Sequence, residues 1–351
     1  MEVPPPQGDV GPSVAATPLS RLSLEGAEHP TRLWLKNDGL TSTLYGGNKV
    51  RKLARLLRRA HQRDARRLVT FGAAGSHHVL ATTLFGKRAG FEVLALLTPQ
   101  LESDHARDTL LAGLGAGLEV VPCSSTASLP WQFGKVRRRG DFVIAPGGMG
   151  ILGSLGYVDA VSELQQQFSQ LELPMADTLV VAAGTGSTAA GILAGLALHH
   201  IDANVIAVQV AHAPLCGVSI LAQARAVLVR LGIAASMTDL KRHLSVGRGF
   251  IGWGYGWPTE ETRAARAIAR RSGLELDDTY TGKAFACAVG EADRGLKPRT
   301  SRLQSPRSTL YWHTLSAVSM EPLLKEAPSF AEVPASVRAL FLPPNPGEPV
   351  V

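Results

Sequence analysis

The stretch VVAAGTGSTAAG, residues 180–191, joins an apolar run to a helix-like segment through a glycine-rich turn. The apolar run predicts a buried strand, and the residues after the turn predict a helix that begins immediately. At such a junction the first backbone N–H groups of the helix and the positive end of its dipole face the turn. The small residues allow close approach, and Ser187 and Thr188 add hydroxyl donors. The stretch therefore predicts a phosphate-binding strand–turn–helix unit.

The kind of phosphate is constrained by what surrounds this turn. Gly184, Gly186 and Ala189 match the spacing of the dinucleotide-binding fingerprint, which expects a carboxylate at the end of the next strand. The next strand, VIAVQV (205–210), ends without one, since Asp202 precedes it. No Gly-Lys-Ser/Thr sequence follows the turn, which excludes an ATP P-loop. Tight strand–helix packing without any ligand stays open as an alternative at this point.

A second stretch, YGGNKVRKL (45–53), places Lys49 behind two glycines at a predicted helix start. Asn48 is the predicted N-cap, and the helix dipole disfavours an ammonium group in the first turn. A lysine with a lowered pKa is the kind of amine that forms an imine with a carbonyl compound. Together with the phosphate site, this arrangement suggests pyridoxal phosphate held as a Schiff base by Lys49.

Short apolar strands alternate with helix-like segments along most of the chain. Near-continuous apolar strands separated by helices are typical of buried parallel sheets in α/β proteins. The predicted strands are 32–36, 67–71, 93–97, 118–121, 142–145, 178–183, 205–210 and 309–312, and the predicted helices are 49–63, 77–89, 104–114, 154–169, 187–199, 217–231, 260–272 and 282–293.

The alternation is longer than one compact sheet usually holds, so we predict two three-layer α/β domains with mostly parallel twisted sheets and the cofactor in the cleft between them. The large cofactor-binding domain is expected to comprise 17–54 and 165–320, and the small domain 55–164. Residues 1–16 are expected to be disordered, and 321–351 form a Pro-rich tail.

The composition argues against several classes of protein. The formal net charge is +7, and the densest basic run, 51–67, shows leucines at helical spacing, which indicates a solvated amphipathic helix. Without interleaved aromatics or a zinc-finger pattern, nucleic-acid binding is not expected. The three cysteines show no metal-ligand spacing, so no metal is expected and a cytoplasmic setting is favoured. We also expect no signal peptide and no membrane span, since no apolar run reaches about 18 residues.

Seven motifs, in order, resemble those of the D-cysteine desulfhydrase / 1-aminocyclopropane-1-carboxylate deaminase family within the tryptophan synthase β-like (fold-type II) pyridoxal phosphate enzymes. The resemblance runs from about residue 17 to 318, and it implies a homodimer acting on a small amino acid. The motifs are LWLKNDGLTSTLYGGNKVRKL (33–53), FGAAGSHHVLATT (71–83), GILGSLGYVDA (150–160), GTGSTAAG (184–191), GYGWP (254–258), YTGKA (280–284) and WHT (312–314).

The resemblance implies a role for each matching position. Lys49 matches the lysine that binds the cofactor covalently and moves the Cα proton, with Asn48 in the same motif. Ser76 matches the serine that meets the substrate carboxylate, and Tyr255 and Tyr280 match two active-site tyrosines. The positions that match phosphate-binding residues are Lys52, Gly184, Thr185, Gly186 and Thr188, with Ser187 between them.

Two positions bear on the reaction. Thr281 stands near the expected place of the ring nitrogen, where the deaminase pattern has Glu and the desulfhydrase pattern has Thr. Thr314 again matches the desulfhydrase pattern, whereas the deaminases have Leu. A neutral hydroxyl stabilises a protonated ring less than a carboxylate does, which favours β-elimination of a good leaving group. We therefore expect a lyase resembling D-cysteine desulfhydrase; an aminocyclopropane-carboxylate or other amino-acid deaminase of this fold is the alternative.

Three departures from the family pattern leave a third hypothesis for the function open, that of a protein that binds the cofactor without catalysis. His77 replaces an asparagine that hydrogen-bonds the phenolic oxygen of the cofactor, and one of its ring nitrogens could donate the same bond. Leu315 and Ser316 replace two glycines, and Met149-Gly150 replaces the expected asparagine. These changes are also what a catalytically silent, cofactor-binding paralogue would show.

Overall fold

The computed structural model describes residues 11–24, 33–296 and 307–343. Strands and helices alternate along these ranges. The strands are β1 (Leu19–Arg21), β2 (Leu33–Asn37), β3 (Arg67–Ala73), β4 (Glu92–Thr98), β5 (Gln100–Leu101), β6 (Glu119–Pro122), β7 (Asp141–Ile144), β8 (Thr178–Ala183), β9 (Asn204–Gln209), β10 (Leu244–Gly247), β11 (Thr309–His313) and β12 (Phe341–Leu342). The α-helices are α1 (Asn48–His61), α2 (His77–Arg88), α3 (Asp104–Gly115), α4 (Leu129–Val136), α5 (Ile151–Gln170), α6 (Ser187–Leu198), α7 (Cys216–Arg230), α8 (Met237–Arg242), α9 (Glu260–Arg271), α10 (Thr281–Leu296), α11 (Glu321–Leu324) and α12 (Ala335–Arg338).

The larger sheet has six strands in the order β1-β2-β11-β8-β9-β10. All neighbouring strands are parallel except β1, which is antiparallel to β2. Along β8, Leu179 and Val181 pack into one hydrophobic cluster with α5, α6 and α7, whereas Val180 and Ala182 pack into another with α9 and α10. Because successive side chains of a strand point to opposite faces, this sheet is buried on both sides and forms the middle of three layers.

The smaller sheet is parallel throughout, in the order β6-β4-β3-β7. Its core includes Val69 of β3, Leu94 and Leu96 of β4 and Cys123. The short strands β5 and β12 pair in parallel as a separate two-stranded sheet. The mixed α/β architecture with mostly parallel sheets confirms the predicted fold class.

Contacts divide the chain into two compact units. Leu53–Met149 belong to one unit with the described parts of 1–13 and 318–351, and the described parts of Val14–Lys52 and Gly150–Ala317 belong to the other. The sequence analysis placed the boundary at 164–165 instead. That position lies inside α5, a single helix that packs against α6. Residues of α5 on both sides of that position, such as Leu155 and Phe168, pack into the same hydrophobic cluster, so these contacts assign the whole helix to one unit.

Each of the sixteen predicted elements matches an observed one, with ends shifted by a few residues at most. The structure adds short elements that sequence patterning did not show. Among them are α11, α12 and β12, which lie in the region expected to be only a Pro-rich tail. The disorder expected for 1–16 concerns 1–10 outside the described residues, and within 11–16 the Ala15 amide donates to the Thr41 carbonyl over 3.0 Å.

The carboxyl ends of two neighbouring parallel strands of the larger sheet lead directly into candidate residues. Thr314 follows β11, and Gly184 follows β8. The carboxyl edge of a parallel sheet is where α/β proteins bind ligands, because loops and helix N-termini converge there. In the described part of the chain, no helix has the length and apolar character needed to cross a membrane, and no cluster of three or more metal-ligating side chains is found.

Candidate active site

The first turn of α1 is fixed by the loop after β11. The Asn48 amide donates to the Thr314 carbonyl over 3.2 Å. Gly47 has φ +94°, and a Cβ on it would lie 2.7 Å from the same carbonyl, so only glycine fits there. The Ser316 hydroxyl accepts from the Gly46 amide at 2.9 Å. One of the two substitutions at 315 and 316 thus supports the lysine loop directly.

Asn48 connects Lys49 to the turn after β8. Its Oδ1 accepts a hydrogen bond from Lys49 Nζ at 2.8 Å, and its Nδ2 donates to Thr188 Oγ1 at 3.2 Å. The sequence predicted Asn48 as the N-cap, but the helix already includes it, and its amide is used for these two contacts. The predicted lysine and the predicted phosphate turn are therefore neighbours in space.

The turn between β8 and α6 has the features expected of an anion site. Gly186 precedes α6 with φ +79°, and a Cβ on it would lie 2.5 Å from Ile220 Cγ1. No side chain caps this helix end, which leaves its first amides directed at the turn. Lys52, one helical turn after Lys49, donates to Ser187 Oγ at 2.6 Å, and Thr185 Oγ1 lies 3.4 Å from the same hydroxyl.

The two lysines share a desolvated environment. Burial lowers the pKa of Lys49 to about 8, and the more distant negative charge of Asp277 opposes this only in part. Burial also lowers the pKa of Lys52 well below its ordinary range, and the positive charge of Lys49 adds to this effect. A dianionic phosphate at the turn would stabilise the Lys52 ammonium, whereas Lys49 is already suited to react as a neutral amine.

Tyr255 and Tyr280 form a pair beside Lys49. The Tyr280 hydroxyl donates to the Tyr255 hydroxyl at 3.0 Å, and the ring of Tyr280 lies with its centroid 6.0 Å from Lys49 Nζ. Burial raises the pKa of Tyr255 to about 12 and that of Tyr280 well above its ordinary value, so both are protonated at neutral pH. Because the Tyr280 hydroxyl is the donor in this hydrogen bond, the Tyr255 hydroxyl can donate a hydrogen bond to another group.

Asp277 organises the start of α10 and was not found by the sequence analysis. Its Oδ1 accepts from the Tyr280 amide at 2.6 Å, and its Oδ2 accepts from the Thr281 hydroxyl at 2.5 Å. The Thr281 hydroxyl in turn accepts from the Asp277 amide at 2.8 Å. Thr281, only 1% exposed, therefore points its proton at a carboxylate. The sequence offered one signal for it, an Asp in the turn before a predicted helix, where the carboxylate can accept hydrogen bonds from the amides two and three residues further on.

His313, next to Thr314, is buried and neutral. Burial lowers its pKa from 6.5 to about 4, although Asp277 and Asp38 oppose the shift. Its Nδ1 lies 3.2 Å from the Tyr311 hydroxyl, which donates to the Thr281 carbonyl at the same distance. Nδ1 must then carry the imidazole proton, since the single proton of Tyr311 is already used.

The buried His313 predicts an acid-sensitive fold. Its folded pKa is lower than its unfolded pKa, so the unfolded state binds more protons between pH 6.5 and about 4. Stability should fall by about 3 kcal/mol as the pH is lowered through this window. Urea unfolding of the cofactor-free protein at several pH values should show this loss of stability. His313→Gln should remove the pH dependence, whereas His212→Gln, at an exposed histidine, should leave it unchanged. Burial opposes ionisation of Glu163, but its contacts with Arg51 and Lys36 lower its pKa to about 2, so this group adds to the loss of stability only below pH 4.5.

Ser76 and His77 lie in the other unit, at the start of α2 after β3. Ser76 is the N-cap residue, yet its hydroxyl does not cap the helix. His77 Nε2 lies 2.8 Å from Nε2 of His105, a contact that sequence spacing could not reveal. The roles of Ser76 toward the substrate carboxylate and of His77 toward a cofactor oxygen stay predictions.

The residues of the larger unit fit pyridoxal phosphate. The uncapped α6 N-terminus, the hydroxyls of Thr185, Ser187 and Thr188, and the Lys52 ammonium form a donor set for a phosphate dianion. Lys49, half-buried and with a lowered pKa, is an amine for an aldehyde. Gly184 leaves room beside the Tyr280 ring, because a Cβ there would lie 3.2 Å from Tyr280 Cε1.

Comparison with known proteins points to the same cofactor. Residues 10–302 match the family model described as pyridoxal-phosphate dependent enzyme. A nocardicin C-9′ epimerase from Nocardia uniformis subsp. tsuyamanensis is 33% identical over 300 residues, covering 81% of this chain and 86% of that protein. A D-cysteine desulfhydrase from Yersinia pestis (strain Pestoides F) is 32% identical over 283 residues, covering 77% and 84%.

A solved structure agrees with these relatives. The crystal structure of an ACC deaminase homologue superposes with a TM-score of 0.70 at 25% identity, covering 91% of this chain and 99% of that one. The resemblance inferred from the seven motifs is thereby confirmed. The chain belongs to the pyridoxal-phosphate dependent enzymes of fold-type II and is related to D-cysteine desulfhydrase and 1-aminocyclopropane-1-carboxylate deaminase.

Proposed function

We propose that this enzyme is an α,β-eliminating lyase that converts D-cysteine, or a close β-substituted analogue, and water into pyruvate, ammonia and sulfide. The observation that carries the proposal is the Thr281–Asp277 contact of 2.5 Å. A glutamate at 281, as in the deaminase pattern, would place a second carboxylate beside that of Asp277. Like charges at this distance disfavour ionisation of both groups, which supports the desulfhydrase pattern with a neutral residue at 281.

The side chains divide the work of binding and proton transfer. Bound pyridoxal phosphate supplies the electron sink for cleavage at Cα. Lys52, Thr185, Ser187 and Thr188 hold the phosphate, and Lys49 attaches the cofactor and removes the Cα proton as general base. The hydroxyl of Tyr255 has a proton to donate to the substrate or its leaving group.

The remaining predicted residues are proposed to orient the substrate and the cofactor. Ser76 and the uncapped start of α2 are proposed to bind the substrate carboxylate, and His77 the phenolic oxygen of the cofactor. Thr281 is proposed to lie by the ring nitrogen, and Thr314 and Asn48 to complete the cofactor contacts. Gly184 and Gly186 allow the phosphate to approach the backbone.

Product analysis tests the proposal. The purified enzyme, loaded with pyridoxal phosphate, is incubated separately with D-cysteine, L-cysteine and 1-aminocyclopropane-1-carboxylate, and sulfide, keto acid and ammonia are measured. We expect the three products in equal amounts from D-cysteine. Ammonia and keto acid from the cyclopropane compound alone would identify the deaminase alternative. A spectral response of the bound cofactor to amino acids without any product would identify a catalytically silent paralogue.

An epimerase is a second candidate, because the epimerase from Nocardia is 33% identical over most of both chains. Epimerisation uses the same removal of the Cα proton by Lys49 but returns a proton without loss of a leaving group. Incubation of amino acids in deuterium oxide distinguishes the two. Deuterium at Cα with inversion and no keto acid would favour the epimerase over the lyase.

The pKa of Lys49 predicts how fast the cofactor-free enzyme takes up pyridoxal phosphate. Only the neutral amine reacts with an aldehyde, so the rate constant should rise roughly tenfold per pH unit and level off near pH 8. Stopped-flow absorbance measures this. The negative charge of Asp277 raises the pKa of Lys49, so Asp277→Asn should lower this pKa and move the plateau to lower pH. A plateau only near pH 10.5 would contradict the prediction.

We further propose that the enzyme acts as a cytoplasmic homodimer, as the family resemblance implies. All three cysteines lie in the described residues and none forms a disulfide, which suits a reducing compartment. Analytical ultracentrifugation at several protein concentrations tests the dimer, and a monomer at all concentrations would contradict it.

A further inference from the structure

Lys283, the third residue of α10 and part of the YTGKA motif, is completely buried in the larger unit. Its ammonium group donates to three backbone carbonyls: Ile251 at 2.7 Å, Gly254 at 3.0 Å and Val210 at 3.3 Å. An ammonium group has three protons and no acceptor, so these three carbonyls match its capacity. None of the roles described above for catalysis or cofactor binding involves this lysine.

The three carbonyls belong to two segments that are distant in sequence. Val210 directly follows β9, whereas Ile251 and Gly254 lie in the segment between β10 and α9, which has no strand or helix of its own. Gly254 immediately precedes Tyr255. The ammonium group therefore joins the end of a core strand to the irregular segment that carries an active-site tyrosine.

Burying the Lys283 ammonium group costs free energy, which indicates that its role is something other than stability. Burial lowers the pKa of Lys283 to about 8, and the negative charges of Asp277 and Asp278 offset the cost only in part. A buried charge held only by carbonyl dipoles gives little net stability, because desolvation opposes the attraction. What it gives is a common partner for three buried carbonyl groups, which fixes the distance between the end of β9 and the segment 251–254.

We propose that Lys283 is a positioning residue whose ammonium group acts as a built-in cation, holding Ile251–Gly254 against the end of β9 and so placing the Tyr255 hydroxyl against Tyr280 beside Lys49. The inference rests on the proposed function for its catalytic consequence. The contacts of Tyr255 with Tyr280 (3.0 Å) and of the Tyr280 ring with Lys49 (6.0 Å) connect this position to the reactive amine.

The test compares two variants of Lys283. Lys283→Ala leaves a space that n-propylammonium can fill with the missing atoms and charge, whereas Lys283→Met fills the space with apolar atoms. We expect amide hydrogen exchange across 251–255 of the cofactor-free protein to become faster in both variants. We also expect kcat with D-cysteine to fall on the order of 100-fold, since small misplacements of catalytic groups have effects of that size. Added n-propylammonium should restore both properties in Lys283→Ala only.

Controls separate the outcomes. Lys241→Ala, at an exposed lysine of α8, removes the same charge and should change nothing. Unchanged exchange across 251–255 in both variants, or an equal response of both to n-propylammonium, would overturn the inference. If neither variant folds, the unsubstituted protein decides: fast, unprotected exchange of 251–254 would overturn it. If D-cysteine is not a substrate of the unsubstituted enzyme, the proposed function fails, and hydrogen exchange still tests the inference independently.

Discussion

Lys49→Ala is expected to abolish covalent attachment of pyridoxal phosphate and to lower kcat/KM by on the order of 10³-fold or more. Lys49 lies 2.8 Å from Asn48 Oδ1, and its lowered pKa of about 8 suits an amine that both attaches an aldehyde and moves a proton. Its replacement removes both roles. The visible absorbance of the loaded protein, before and after borohydride, measures the attachment, and product formation from D-cysteine measures the turnover.

Lys49→Arg is the matched variant, because it keeps a positive charge but can neither attach the cofactor nor act as a base at neutral pH. It should be as inactive as Lys49→Ala. Lys325→Ala, at an exposed lysine, is the control for an unrelated loss of charge. Peptide mapping after borohydride reduction should place the cofactor on Lys49. A modified Lys52 instead would show that the second lysine of the motif is the attachment point.

Asp38→Ala is expected to destabilise the protein by about 3–5 kcal/mol, because it leaves the buried charge of Arg51 with only one of its two carboxylate partners, Glu163, and removes the acceptor of further buried donors. Asp38 is 0% exposed and Arg51 4%. The carboxylate accepts from Arg51 Nε at 3.0 Å and Nη2 at 2.9 Å, from the Tyr157 hydroxyl at 2.6 Å and from Trp312 Nε1 at 2.8 Å. The loss should appear as a lower urea midpoint and a lower melting temperature.

The same variant should also disturb the active site. Arg51 stands between Lys49 and Lys52 on α1, and the Asp38 carbonyl accepts from the Gly47 amide at 2.7 Å. We therefore expect weaker cofactor binding in addition to lower stability. Asp38→Asn should be affected less, since it keeps the shape and part of the hydrogen bonding. Asp202→Asn, at a fully exposed position, should stay within about 0.5 kcal/mol of the unsubstituted protein, and a similar result for Asp38→Ala would contradict the prediction.

Helix α1 shows where the prediction from sequence was incomplete. The leucines at helical spacing predicted α1, and Leu53, Leu56 and Leu57 are buried as expected. The arginines were assigned to the solvated faces, but Arg51 is buried in an ion pair with Asp38 and Glu163. Periodicity identifies an apolar face, yet it cannot show that a charged residue at the helix start has buried partners elsewhere in the chain.

From the sequence by itself we could establish the alternating strands and helices, and could predict a phosphate site at 184–188 and an attachment residue at Lys49. Each of these depends on local preferences: apolar runs, glycines that permit φ above zero, and small residues at a helix start. Seven motifs in order then determined the family.

Which distant side chains contact these local features became known from the folded structure. It directed Lys283 at three carbonyls, joined His77 to His105 and placed the boundary between the two compact units before α5. The long-range contacts among these join residues tens of positions apart, and their strength comes from burial, which removes the competing water. Neither the partner nor the burial of a polar side chain is encoded in its immediate neighbours, so both emerge only when the sheets and helices pack.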